Sequence, residues 1–276
     1  PNPVLSLAFA PDGAHLVSGG GDRSAKIWRV DAIDDPIATI TAQDWVRTVA
    51  ISSNGQWLAL GSDDRFWSLW RLNSYENPTQ VFTGAFQARV NAVSFNVDSS
   101  VVAAGSEDGT IQIVDLRNPK DAPIVLKHPL VASGIRTLVF GRSPTQMLLG
   151  TLGGDLVEVD LLQQPPDWRP LASLDTSIEK IAVSTSGQTV TTGDDKGNVR
   201  LWSLEVGLPE PQVFEGHSER VRALVFIGSE AIQETGSNRA WLISASEDGT
   251  IFVWSSDGQV QRTLRIPGSA FLSADT

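Results

Sequence analysis

The sequence predicts an all-β chain folded as a propeller of six four-stranded blades, and three observations predict it. One phrase recurs six times: an apolar strand, a turn, a second apolar strand, an acidic turn, and a third strand ending in Trp or Val. The copies end at Trp28, Trp70, Val114, Val159, Trp202 and Trp254, at spacings of 42, 44, 45, 43 and 52 residues. Roughly 40–45 residues is the length of one four-stranded propeller blade. No segment joins a sustained helical period to helix caps.

Each element follows from local chemistry. Stretches such as VRTVAI (46–51) and IQIV (111–114) are β-branched and bounded by turn residues, which favours strand over helix. APDG (10–13), SNG (53–55) and TSG (185–187) supply the turns between neighbouring strands. The copies occupy residues 4–28, 45–70, 89–114, 134–159, 177–202 and 220–254, and the last is long because IGSEAIQETGSNRA (227–240) extends its first turn. A lone blade cannot cover both of its faces. Stacking blades round a ring hides both.

These six copies resemble the WD-repeat β-propeller family over essentially the whole chain. The family's closing Trp-Asp pair is degenerate here, reading Trp28-Arg29, Trp70-Arg71, Val114-Asp115, Val159-Asp160, Trp202-Ser203 and Trp254-Ser255. The resemblance implies a buried hydrogen-bond tetrad, and it maps completely onto one repeat: His217, Ser244, Asp248 and Trp254. The other repeats lack the His, and Gly153 and Lys196 stand in place of the Asp in the fourth and fifth, so those repeats must rely more on apolar packing. The resemblance also implies closure by a strand from one terminus. QRTLRI (261–266), by analogy with QVFE (212–215), is expected to complete the blade begun by residues 4–30. Residues 1–266 then form the propeller and 267–276 a C-terminal tail. A place in a seven-bladed ring, with a blade upstream of Pro1, is the alternative. A chain opening PNPVLSLAF without Met reads as cut from a longer polypeptide, so upstream domains are expected. The function implied is a non-enzymatic interaction scaffold or sensor module within a multidomain protein.

Composition narrows the chemistry. The formal charge of -11 argues against a general nucleic-acid or anionic-membrane surface. Zero cysteine excludes disulfides and thiolate chemistry. With no leader and no long apolar run, the chain is expected in the cytoplasm, away from the membrane. His15 and His128 lie near turns with no second ligand at zinc spacing. GGGD (19–22) lacks the lysine and helix of a phosphate loop, and DDKGN (194–198) lacks the alternating ligands of a calcium loop. Asp248, His217 and Ser244 invite a catalytic-triad interpretation, but a triad needs an accessible nucleophile and these positions are expected to be internal. No cofactor or metal is expected. A propeller enzyme with its site in the channel is the distant alternative.

A partner site is predicted on one rim. Aligning the inner strands at Val46, Val90, Ile135, Ile178 and Val221 places Arg47, Asn91, Arg136, Glu179 and Arg222 next, and Trp45, Arg89, Gly134, Ser177 and Arg220 before. Trp45, Arg47, Arg89, Arg136, Arg220 and Arg222 therefore gather at one channel mouth. Arg and Trp are the types most enriched in binding hot spots, and guanidinium groups suit an acidic or phosphorylated peptide. A nucleic-acid end is an alternative ligand. The competing expectation is that these arginines pair with Asp44, Asp63, Glu107 and Asp175. The opposite rim carries 227–240 and the loop 162–170, whose Trp168 is either a second contact or a cap on the neighbouring blade.

Overall fold

The computed structural model describes residues 2–204, 210–227 and 240–265. It is a propeller of six four-stranded antiparallel sheets, covering residues 4–41, 46–85, 90–127, 135–173, 178–214 and 221–265. Within each blade the strands pair in chain order, so every sheet is a meander of consecutive hairpins. The sole helical element among the described residues is a single turn at Pro129–Val131. None there is long and apolar enough to cross a membrane.

The predicted terminal closure is corrected. Val260–Arg265 pairs with Thr250–Ser255, its own neighbour in sequence, and stays in the sixth blade. The first blade has its own outer strand, Ala38–Thr41, paired with Ser24–Arg29 through Ser24↔Thr41 and Ile27↔Ala38. That strand is short and follows the polar stretch DAIDDP (31–36), which hid it in the sequence. With its outer edge already paired, the first blade offers no ladder to a second strand. A local hairpin also closes a far shorter loop than a pairing across the whole chain.

Neighbouring blades pack face to face through apolar clusters. One joins Ile27 to Val46, Leu58 and Leu60; the next joins Trp67 and Leu69 to Val90 and Val102. Ile111 and Ile113 meet Ile135 and Met147; Leu148 and Leu156 meet Ile178 and Trp202; Val199 and Phe214 meet Val221 and Trp254. Among the described residues no such cluster joins blade six to blade one. At each of the five closed junctions the first residue of the incoming inner strand (Val46, Val90, Ile135, Ile178, Val221) is at most 1% exposed. It sits against a glycine of the preceding blade: Gly19, Gly61, Gly105, Gly150 or Gly193. A Cβ on any of these would lie 2.5–2.8 Å from that side chain, closer than carbon atoms approach, so glycine is what the junction requires. Small side chains of the inner strands, such as Ala8, Ala92 and Ala182, line a central channel of about 620 Å³.

Candidate interaction site at the channel mouth

The repeat alignment put the rim residues at the first turn of each inner strand, and the fold brings them together. Trp45, Arg47, Arg89, Arg136, Arg220 and Arg222 all line one cavity of about 650 Å³ at the channel mouth. Their electrostatics are largely satisfied in place. Arg47 forks onto Asp63, with Nη2 donating over 2.9 Å, and Arg89 forks onto Glu107, with Nη2 donating over 3.0 Å. In both, an arginine at the entrance of the inner strand reaches the acidic turn that follows the second strand of its own blade. The Glu107 hydrogen bond raises the Arg89 guanidinium pKa, and Arg89 in turn holds the Glu107 carboxyl below its ordinary value.

Glu179 is the hub that sequence reasoning passed over. Its side chain is 3% exposed. It accepts from Arg136 Nε at 2.9 Å and Nη2 at 2.6 Å, and lies 3.4 Å from Arg222 and 3.6 Å from Arg220. Arg222 also pairs with Glu247. Its acidic identity in a column otherwise reading Arg, Asn, Arg and Arg was the available signal. Of the expected acidic partners, Asp63 and Glu107 form pairs, Asp44 instead accepts the Trp45 amide at 2.8 Å, and no ion pair to Asp175 occurs among the described residues. Two groups at the mouth are less fully engaged. Trp45 is 41% exposed. Arg220 has a buried Nε without a hydrogen bond and no carboxylate closer than 3.6 Å.

The tetrad is assembled in the sixth blade. His217 Nε2 lies 2.7 Å from Ser244 Oγ, and Trp254 Nε1 donates to the same hydroxyl at 2.8 Å. Nδ1 lies 2.9 Å from the Thr250 hydroxyl and 3.2 Å from Asp248 Oδ2, so Thr250 is a fifth member that the resemblance did not supply. Asp248 accepts only, and the Thr250 hydroxyl is spent on Asp248 Oδ1 at 2.5 Å, so the imidazole proton belongs on Nδ1. Ser244 then donates to Nε2 while accepting from the indole. Burial lowers the His217 pKa against the pull of Asp248, which keeps the ring neutral. Ser244 is fully buried and held on both sides, so it offers no nucleophile. Asp248→Ala leaves the Ser218 amide and the Thr250 amide and hydroxyl without their acceptor and takes the carboxylate from the imidazole. It should cost about 1–3 kcal/mol, measured by chemical denaturation; wild-type stability would mean that the network holds nothing together.

The other blades meet the same need differently. The position four residues before the inner strand, His217 in the sixth blade, is Ala42, Phe86, Val131 and Leu174 in blades two to five, each packed in or against its junction cluster. Asp64 and Asp108 accept the Gln43 and Gln87 amides as Asp248 accepts that of Ser218. Where the fifth blade has Lys196, the fully buried Asp194 takes over, bonded to Thr176, Asn198 and Arg200. On the opposite rim, Asp167–Ser173 is a strand rather than loop. Trp168 stacks on His128 with ring centroids 4.7 Å apart and packs against the cluster between blades three and four, which is the capping role. Residues 228–239 lie outside the described residues. Among those described, no group of three His, Cys, Asp or Glu side chains is arranged to hold a metal ion.

Comparison with known proteins agrees with this architecture. The sequence signature described as "WD domain, G-beta repeat" matches residues 1–29, 34–71, 76–115, 168–203 and 209–255. Each internal match begins near one blade's outer strand and ends at the next blade's third strand, so the repeat is offset from the sheet and spans a junction. The chain is 26% identical over 172 residues to "Target of rapamycin complex subunit LST8-1" of Arabidopsis thaliana, covering 60% of this chain and 52% of that protein. It is 25% identical over 170 residues to "Target of rapamycin complex subunit wat1" of Schizosaccharomyces pombe, covering 60% and 50%. Against "Apoptotic protease-activating factor 1" of Danio rerio it is 22% identical over 273 residues, 99% of this chain but 17% of that protein. The aligned part thus spans about half the length of the first two relatives and a small part of the third. With six blades in register and the signature found in five stretches across more than half its length, the chain belongs to the WD40 family.

Proposed function

We propose that this propeller is a non-enzymatic interaction module that holds a protein or peptide partner at the mouth lined by Trp45, Arg47, Arg89, Arg136, Arg220 and Arg222. The observation that carries this reading is the pairing of an exposed indole, Trp45, with the under-satisfied guanidinium of Arg220 in one cavity. Aromatic area beside a guanidinium fork is the usual make-up of an interface anchor. Five arginines and Lys180 meet five carboxylates there (Asp63, Glu107, Glu179, Asp195 and Glu247), so the mouth keeps a net positive charge on an acidic protein. A partner presenting carboxylate or phosphate near an apolar side chain fits it. Two of the relatives are named as subunits of a complex, which accords with a scaffold role.

Arg136 and Arg222 are poor probes of binding, because they hold buried Glu179. The informative variants are Trp45→Ala and Arg220→Gln, the latter neutral so that no second carboxylate is set beside buried Glu179, screened on an array of acidic, phosphorylated and neutral peptides. Each should weaken capture of the best peptide by about 2 kcal/mol with the melting temperature unchanged, while Arg169→Glu on the opposite rim leaves capture intact. Equal loss in Arg169→Glu places the site on the wrong face. Binding of single-stranded nucleic acid with a steep salt slope, and of no peptide, would favour the nucleic-acid alternative.

A further inference from the structure

In every blade the turn between the second and third strands carries one residue in the left-handed region. Blades three to six use glycine there: Gly109, Gly154, Gly197 and Gly249, at φ 76–93°. Blades one and two use arginine, Arg23 at φ 65° and Arg65 at φ 75°. A Cβ crowds the carbonyl that follows it in this conformation, so any residue but glycine is strained. The four glycines are buried, and a Cβ on Gly109, Gly154 or Gly197 would lie 2.0–2.6 Å from a carbonyl oxygen of the segment leading into the next blade. The two arginines are instead exposed, and neither guanidinium pairs with a carboxylate among the described residues. The acids beside them are engaged elsewhere: Asp22 holds Lys26 at 2.5 Å, and Asp64 accepts the amides of Gln43 and Phe66. A strained, solvent-facing arginine gives the turn nothing that glycine would not give it, so what these positions hold is the side chain itself.

Two further departures from the repeat fall at the same two turns. The residue after the left-handed position is short and polar in five blades (Ser24, Thr110, Asp155, Asn198 and Thr250), but in blade two it is Phe66, 42% exposed. Trp45 joins the turns. Its carbonyl accepts the Asp63 amide at 3.0 Å in the blade-two turn. Its ring lies over Gly21 in the blade-one turn, with Cε2 3.5 Å from where a Cβ on that glycine would sit. The rim of blades one and two therefore presents exposed aromatic surface from Trp45 and Phe66, with an unpaired guanidinium on each of the turns that Trp45 bridges.

We propose that this rim extends the site at the channel mouth, and that it takes a partner segment in which an apolar side chain is flanked on both sides by carboxylate or phosphate. The inference rests on the reading above that a partner docks through Trp45. The apolar side chain lies on Trp45 and Phe66. The flanking anions meet Arg23 and Arg65, whose planar forks each give two charge-assisted hydrogen bonds to such a group. Exposed aromatic and arginine side chains are the types from which interface anchors are made. The backbone strain is then what it takes to set two guanidinium groups where the fold prefers glycine.

The probes are synthetic peptides with one leucine between pairs of glutamate, phosphoserine or glutamine, titrated by fluorescence anisotropy. The wild-type chain should bind the first two about tenfold more tightly than the third. Arg23→Gly/Arg65→Gly should weaken the glutamate and phosphoserine peptides by about tenfold and leave the glutamine peptide unchanged. Its melting temperature should rise by about 2–6 °C as strain leaves both turns. Arg23→Gln/Arg65→Gln should lose the same binding with the melting temperature unchanged. A lower melting temperature in the glycine pair overturns the proposal, because the arginines then serve the fold. Full binding by either pair overturns it too. If Trp45→Ala and Arg220→Gln lose these peptides while both arginine pairs keep them, the mouth is still the site and only its extension over blades one and two fails. If the wild-type chain binds neither acidic peptide, both readings fail together.

Discussion

Trp254→Ala should destabilise the protein by about 3–5 kcal/mol, the cost of an aromatic cavity in a closed core, and urea denaturation will show it as a lower midpoint. Trp254 is 1% exposed, with its ring 5.2 Å from Phe252 and 5.4 Å from Phe214. Phe214 belongs to blade five, so the cavity opens the junction and not only the blade. Its indole N–H also ties Ser244 into the His217 network. Trp254→Phe keeps most of the volume and loses that hydrogen bond, so it should recover more than half of the loss. Trp28→Ala provides the contrast. Trp28 makes the same bond to Ser18 at 2.8 Å, yet it is only half-buried, on the blade whose incoming face is unmet. Equal losses at Trp28 and Trp254 would show that junction packing is not what sets the cost.

Glu179→Ala should be nearly as damaging, at about 3–5 kcal/mol, because it removes the shared counter-charge of a buried cluster. The side chains of Arg136 and Arg222 are 14% and 18% exposed, too enclosed for water to replace the carboxylate. Three guanidinium groups would then face one another across the mouth. The same physics predicts that reversing Arg136 and Arg222 to Glu together unfolds the chain rather than merely blocking a partner. Glu107→Ala is the matched control. Its pair with Arg89 is half-exposed and reached by water, so its loss should cost about 0–1 kcal/mol. Thermal melts of Glu179→Ala and Glu107→Ala that coincide would demote Glu179 to an ordinary surface acid.

The repeat period, the strand–turn alternation and the position of every inner strand were legible in the sequence, because they follow from short-range chemistry. Strands such as Val46–Ile51 are β-branched and turn-bounded, and six copies average out the degeneracy of any one. The gathering of the six rim residues was legible for the same reason: equal positions in equal repeats must share one end of the ring. Pairwise choices were not legible. Whether Arg136 meets solvent or Glu179 depends on the blade beside it, 43 residues away in the chain. Whether Val260–Arg265 joins the first blade or the last depended on Ala38–Thr41, a four-residue strand that already occupied the competing edge. The sequence by itself determined the blade, its period and the ring it builds. The tertiary structure decided which edges were taken, which charges were neutralised and which junction was left unfilled, since each depends on contacts that exist only once two blades stand side by side.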